Sequence, residues 1–153
     1  MQQGPDDARL DAVASQVGDA LHARHAMLTT AESCTGGWVA KILTDIPGSS
    51  AWFDRGFVTY TNQSKSELLG VPEQTIIEQG AVSSQTAEAM ASGVREKART
   101  DYGIAITGID GPDGGTEEKP VGLVYVAVDG PAGARGRELR LGGTRAQIRE
   151  RTA

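Results

Sequence analysis

The sequence predicts an α/β fold, on three observations. Leu10, Val13, Val17, Ala20 and Leu21 form an apolar stripe at helical spacing, and a short apolar run at residues 26–28 follows almost at once. Two later runs, residues 103–107 and 121–128, have the Ile, Val and Ala content of strands in a sheet interior. Glycine makes up 20 of the 153 residues, nearly double its usual share of about 7%, and much of it gathers where strand-like runs end, at 36–37 and 108–115.

The elements follow in order. Residues 1–6 read as a frayed tail, and the apolar stripe predicts a helix over 7–24. Residues 27–30 form the first strand. A second helix is expected over 33–44, stopped by Pro47-Gly48-Ser49-Ser50. The β-branched and aromatic run 55–60 is the second strand. Asn62 opens a short helix, with Ser64 and Glu67 at capping-box spacing and Leu68 and Leu69 on its inner side. Residues 72–79 form another short helix around Ile76 and Ile77, closed by Gly80. Ser83 or Ser84 caps a longer helix to about residue 99, whose small-residue face, Ala87, Met90, Ala91, Val94 and Ala98, suits close packing on a sheet. Strands are expected at 103–107, 121–128 and 137–141, the last alternating polar and apolar as an outer strand does, with 129–136 as a turn before it. Thr144 and Gln147 have capping-box spacing and open a final short helix containing Arg145 and Ile148.

Composition narrows the function. A chain of this length is one ordinary domain with a real core. A formal charge of −5, with no Lys/Arg tract, argues against a nucleic-acid partner. No apolar run approaches the roughly 18 residues of a membrane span, and the polar, acidic N-terminus is unlike a signal peptide, so a soluble cytoplasmic protein is expected. One cysteine and two histidines form no disulfide framework and no metal-ligand cluster.

Chemistry concentrates at residues 29–37, Thr-Thr-Ala-Glu-Ser-Cys-Thr-Gly-Gly, where a strand runs into a helix start. The first N–H groups of a helix lack partners and favour an anion or oxyanion. Ser33 and Cys34 are both nucleophile candidates there, although the same residues also make an ordinary capped helix. Lys65, in the first turn of its helix, reads either as a solvated lysine or as a base whose pKa the dipole and burial lower. The loop 108–120 is long for a connector and reads as a binding loop or as an unliganded glycine-rich turn; it matches no phosphate-loop pattern. Arg145 reads as a surface charge or as a phosphate ligand.

TTAESCTGG at 29–37, GSSAWFDRGFVTY at 48–60, GAVS at 80–83, TGI at 107–109 with GP at 111–112, and KPVG at 119–122 together resemble the CinA C-terminal-domain family, from about Leu10 to Arg149. The resemblance implies a three-layer α/β/α domain with a mixed sheet of about five strands, usually in homo-oligomers, with a dimer favoured. It implies a nicotinamide-nucleotide amidohydrolase, which converts nicotinamide mononucleotide to nicotinic acid mononucleotide and ammonia without metal or cofactor. The family's serine and lysine pair falls on Ser33 and Lys65, which selects Ser33 over Cys34 as nucleophile. Cys34, Thr35 and Gly36 then surround the oxyanion, and Tyr60 and Asn62 position Lys65. Thr107, Gly108, Gly111, Gly114 and Gly115 line the nucleotide pocket, with Lys119 or Arg145 for the phosphate. The sequence departs from the family's pattern at Asp110, usually Ala, which places a carboxylate at a pocket for an anionic nucleotide. It departs also at Thr144, usually Asp or Asn, and in a final helix that is short. A non-catalytic pyridine-nucleotide-binding or interaction module of the same fold is the alternative, supported by Asp110 and the short final helix.

Overall fold

The computed structural model of the protein describes residues 5–153. Residues 1–4 of the expected tail lie outside the described residues, and Pro5 already belongs to the first helix, where its fixed φ and missing N–H suit an opening position. In chain order the elements are α1 (Pro5–Ala23), β1 (Leu28–Glu32), α2 (Trp38–Thr44), β2 (Phe53–Val58), α3 (Asn62–Leu69), α4 (Glu73–Gln79), α5 (Ser84–Ala98), β3 (Tyr102–Gly108), β4 (Leu123–Gly130), β5 (Gly133–Arg140) and α6 (Arg145–Thr152).

Among the described residues the strands form one mixed sheet in the order β2-β1-β3-β4-β5. β1 pairs in parallel with both β2 and β3, whereas β4 and β5 run antiparallel. Alternation along β3 sends side chains to opposite faces. Ile104 and Ile106 join Leu28, Val39, Ile42, Trp52 and Ile148 in one cluster with α1, α2 and α6, while Ala105 joins Leu69, Ile76, Met90, Ala91 and Val94 in another with α3, α4 and α5. The result is the three-layer α/β/α arrangement with a five-stranded mixed sheet that the sequence predicted.

Several boundaries differ from expectation. In α1 the buried face is Ala14, Gly18 and Leu21, whereas Val13 and Ala20 are exposed. A side chain at Gly18 would collide with the indole of Trp52, so the helix turns its smallest residue toward that ring. The cap of α3 is Thr61, in a reciprocal capping box with Ser64, rather than a box from Ser64 to Glu67. Leu68 and Ile77 face solvent while Leu69 and Ile76 enter the core, because these helices are short and bury a single edge. β5 begins at Gly133, inside the expected turn, since backbone pairing with β4 from Gly130↔Gly133 onward extends the hairpin through residues with no strand-like pattern. α6 is capped by Thr144 and Gln147 as expected, and Ile148, fully buried, anchors it.

The parallel strands matter for function. β1 lies between β2 and β3, with the β1-to-β2 crossover through α2 on one face and the β2-to-β3 crossover through α3, α4 and α5 on the other. In open α/β sheets this switch of direction leaves a crevice at the carboxyl ends of the central strands. Ser33, Thr59 and the loop after Gly108 are the residues that emerge there.

Candidate active site

Ser33 follows β1 immediately, and its N–H donates to the Ile106 carbonyl at 3.0 Å, which pins it to the end of the sheet. The expected helix does not start there. Residues 34–37 form a turn, with Gly36 and Gly37 at φ 60° and 100°, and α2 begins only at Trp38. Two left-handed residues in succession cannot continue a right-handed helix, and only glycine adopts them without strain.

The amides at the start of α2 are consequently occupied. Glu32, fully buried, accepts from Val39 N–H at 2.9 Å, Ala40 N–H at 3.0 Å and Thr35 Oγ1 at 2.6 Å. The anion at this helix start is thus the protein's own carboxylate. Gly36 N–H donates to Ser33 O at 3.1 Å, so it is not an open oxyanion donor. The N–H groups of Cys34 and Thr35 donate to no other described residue.

Lys65 reaches the same point from the other side. It sits in α3, one turn past the Thr61 cap, and is 1% exposed. Its Nζ donates to Ser33 Oγ at 3.0 Å, to Thr59 O at 2.7 Å and to Tyr60 O at 3.3 Å. Burial, which penalises the charged form, lowers its pKa to about 8. Burial also pushes the Cys34 thiol up to about 12, helped by the charge of Asp110, so Cys34 is a protonated, packed side chain.

A cavity of about 250 Å³ opens over this pair. Ser33, Cys34, Tyr60, Asn62, Lys65, Thr107, Gly108, Gly111, Gly114 and Arg145 line it. Most of the predicted site residues therefore converge. Thr35, Gly36, Gly115 and Lys119 do not line it. Lys119 Nζ instead donates to Gln79 O at 2.6 Å and Val82 O at 2.8 Å, tying the glycine loop to the turn between α4 and α5. Thr107 Oγ1 likewise donates to Ala81 O at 2.9 Å. Asn62 makes no hydrogen bond to Lys65 among the described contacts; the Thr59 carbonyl takes the positioning role expected of it.

Arg145 spans the pocket mouth, donating to Gly111 O at 2.7 Å and to Tyr60 Oη at 3.0 Å. Arg149, one turn later in α6, donates to Cys34 O at 3.0 Å and Thr35 O at 3.3 Å and lies 5.8 Å from the Trp38 ring centroid, so the last helix clamps the serine turn from behind. Thr59 and Arg149 carry no site signal in the sequence, and Glu32 only an indirect one, a carboxylate between the first strand and the glycine pair. Among the described residues no group of three or more His, Cys, Asp or Glu side chains converges to hold a metal ion, and no helix is long and apolar enough to cross a membrane.

The profile of the CinA C-terminal domain matches residues 10–153. The chain belongs to this family. Within it, the chain is 59% identical over 121 residues to the nicotinamide-nucleotide amidohydrolase PncC of Escherichia coli K12, covering 79% of this chain and 73% of that protein. It is 53% identical over 133 residues to the PncC of Enterobacter agglomerans, covering 87% of this chain and 79% of that protein. The crystal structure of the competence/damage inducible protein CihA from Agrobacterium tumefaciens superposes with a TM-score of 0.93 at 45% identity, over 99% of this chain and 92% of that one. The family's fold is thus shared.

Proposed function

We propose that the protein is a nicotinamide-nucleotide amidohydrolase, which hydrolyses the carboxamide of nicotinamide mononucleotide, with Ser33 as nucleophile and Lys65 as general base and acid. The observation that carries this reading is the 3.0 Å contact between Lys65 Nζ and Ser33 Oγ at the floor of a cavity. The names of the relatives in Escherichia coli and Enterobacter agglomerans support the substrate class.

The hydrogen-bond geometry suits a neutral amine. A neutral Lys65 has two N–H groups and one lone pair. The Thr59 and Tyr60 carbonyls accept the two hydrogens, which leaves the lone pair for the Ser33 hydroxyl proton. Ser33 Oγ then attacks the carboxamide carbon as its proton passes to Lys65. The oxyanion that forms is stabilised by the N–H of Cys34, which lines the cavity and donates to no other described residue. When the C–N bond breaks, the proton on Lys65 goes to the departing nitrogen, and ammonia leaves. Water attacks the ester, giving its proton to Lys65, which returns it to Ser33 Oγ as nicotinic acid mononucleotide departs. Arg145, the cation at the pocket mouth, serves the nucleotide phosphate. A cytoplasmic homo-oligomer, a dimer first, belongs to the same reading.

The test is ammonia release from nicotinamide mononucleotide, with thermal shift measured in parallel. Turnover that depends on Ser33 supports the reading. Thermal stabilisation by the nucleotide without ammonia overturns it in favour of a binding module.

A further inference from the structure

Asp110 is a buried carboxylate with one oxygen left unpartnered. It follows β3 by two residues, its side chain is 3% exposed, and Oδ1 has no hydrogen-bond partner. Oδ2 lies 3.8 Å from Arg145 Nη2, an ion pair beyond hydrogen-bond length. A carboxylate has about four lone-pair sites, and leaving a buried one empty is destabilising. Such an acceptor at a pocket wall suits a ligand that brings a donor.

The surroundings say which end of the ligand it meets. Asp110 lines the same cavity as Ser33 and Lys65. Its loop is pressed against the serine turn: a Cβ at Gly108 would come within 3.1 Å of Cys34 Sγ. The Cys34 thiol, one residue from the nucleophile, donates a hydrogen bond to the Asp110 carboxylate and feels its charge, which leaves Oδ1 as the open acceptor. The side chain therefore stands between Arg145 and the turn that carries the nucleophile, Ser33.

We infer that Asp110 is a specificity-determining residue: its Oδ1 accepts a hydrogen bond from the carboxamide NH₂ of the substrate and repels the carboxylate of the product. This rests on the deamidase reading. The substrate's amide offers two N–H donors to Asp110, whereas the product's carboxylate offers none and places two anions in contact. The same charge that binds the amide thus expels the acid, and the departing ammonia leaves past an acceptor. Burial raises the pKa of Asp110 above the ordinary carboxylate value, and Arg145, Arg149 and the Cys34 thiol oppose that rise.

The experiment measures binding apart from turnover. In a Ser33→Ala background, titration calorimetry with nicotinamide mononucleotide and with nicotinic acid mononucleotide compares Asp110 with Asp110→Asn and Asp110→Ala. With Asp110 present the amide binds at least about tenfold tighter than the acid, and both substitutions bring the two affinities to within about threefold, chiefly by strengthening acid binding. A carboxylate that only orients Arg145, or that binds a ribose hydroxyl, shifts both nucleotides together and leaves their ratio unchanged; that result overturns the assignment. Ammonia release by the wild type separates the two levels. Release with an unchanged ratio sinks the role of Asp110 alone, and no release sinks the deamidase reading with it.

Discussion

Lys65 Nζ lies 3.0 Å from Ser33 Oγ, and its two other acceptors, the carbonyls of Thr59 and Tyr60, are also neutral. None of these partners holds a full charge against the ammonium, so burial dominates and the pKa falls to about 8. A lysine with this setting changes protonation state within the working range of an enzyme.

The activity should follow that titration. The base form of Lys65 is the neutral amine, so kcat/KM for nicotinamide mononucleotide rises with pH and levels off above about 8. Lys65→Arg places a permanent cation there and lowers kcat by about 10²–10⁴-fold without an alkaline recovery. A pH–rate profile of the two proteins checks this; equal limbs in both would remove Lys65 from the proton transfer.

Stability carries the same signature with its own sign. The folded pKa of Lys65 is lowered, so between about 8 and about 10.4 the unfolded chain binds the extra proton and folding stability rises with pH. Below that window both states are protonated and the cost of the buried charge is constant. Lys65→Met removes this dependence. Urea unfolding at pH 7.5 and 10.5 should show the stability of the wild type relative to Lys65→Met increasing by about 3 kcal/mol across the window.

Ser33 and Cys34 are adjacent and should behave oppositely. Ser33→Ala is expected to reduce ammonia release by at least about 10³-fold. Cys34→Ala should keep turnover within several-fold and cost about 1 kcal/mol of stability, because its thiol is 3% exposed and stays protonated at neutral pH. Alkylation by iodoacetamide at pH 8 should be slow in the native protein and fast in urea. Rapid native alkylation with loss of activity would reopen the case for a cysteine nucleophile.

The position of α3, and so of Lys65, depends on Gly93. A Cβ at Gly93 in α5 would run into the carbonyl of Leu69, at the C-terminal end of α3. Gly93→Ala should therefore destabilise the protein by about 2–3 kcal/mol, even though alanine is the better helix former. Denaturant unfolding and kcat should fall together, since the helix displaced is the one that carries the base.

The α/β class and the order of the elements were legible because they depend on local pattern. Helical spacing in α1, Ile and Val runs in β3 and β4, and the capping pair Thr144 and Gln147 each announce themselves within a few residues. The start of α2 is not encoded locally, because Gly36 and Gly37 hold left-handed φ, which glycine permits but does not require. The first residues of β5 carry no strand pattern because they pair through backbone alone.

By itself the sequence determined a strand that ends in a glycine turn, two adjacent nucleophiles, and, through its resemblance to a family, a lysine some thirty residues away. Tertiary structure decided what these residues could do. It brought Lys65 to Ser33 and stripped water from it, filled the α2 start with Glu32, committed Lys119 to two carbonyls, and left Arg145 and Asp110 at the pocket. Charge state and hydrogen-bond availability depend on distance and burial between distant segments, which no local pattern encodes.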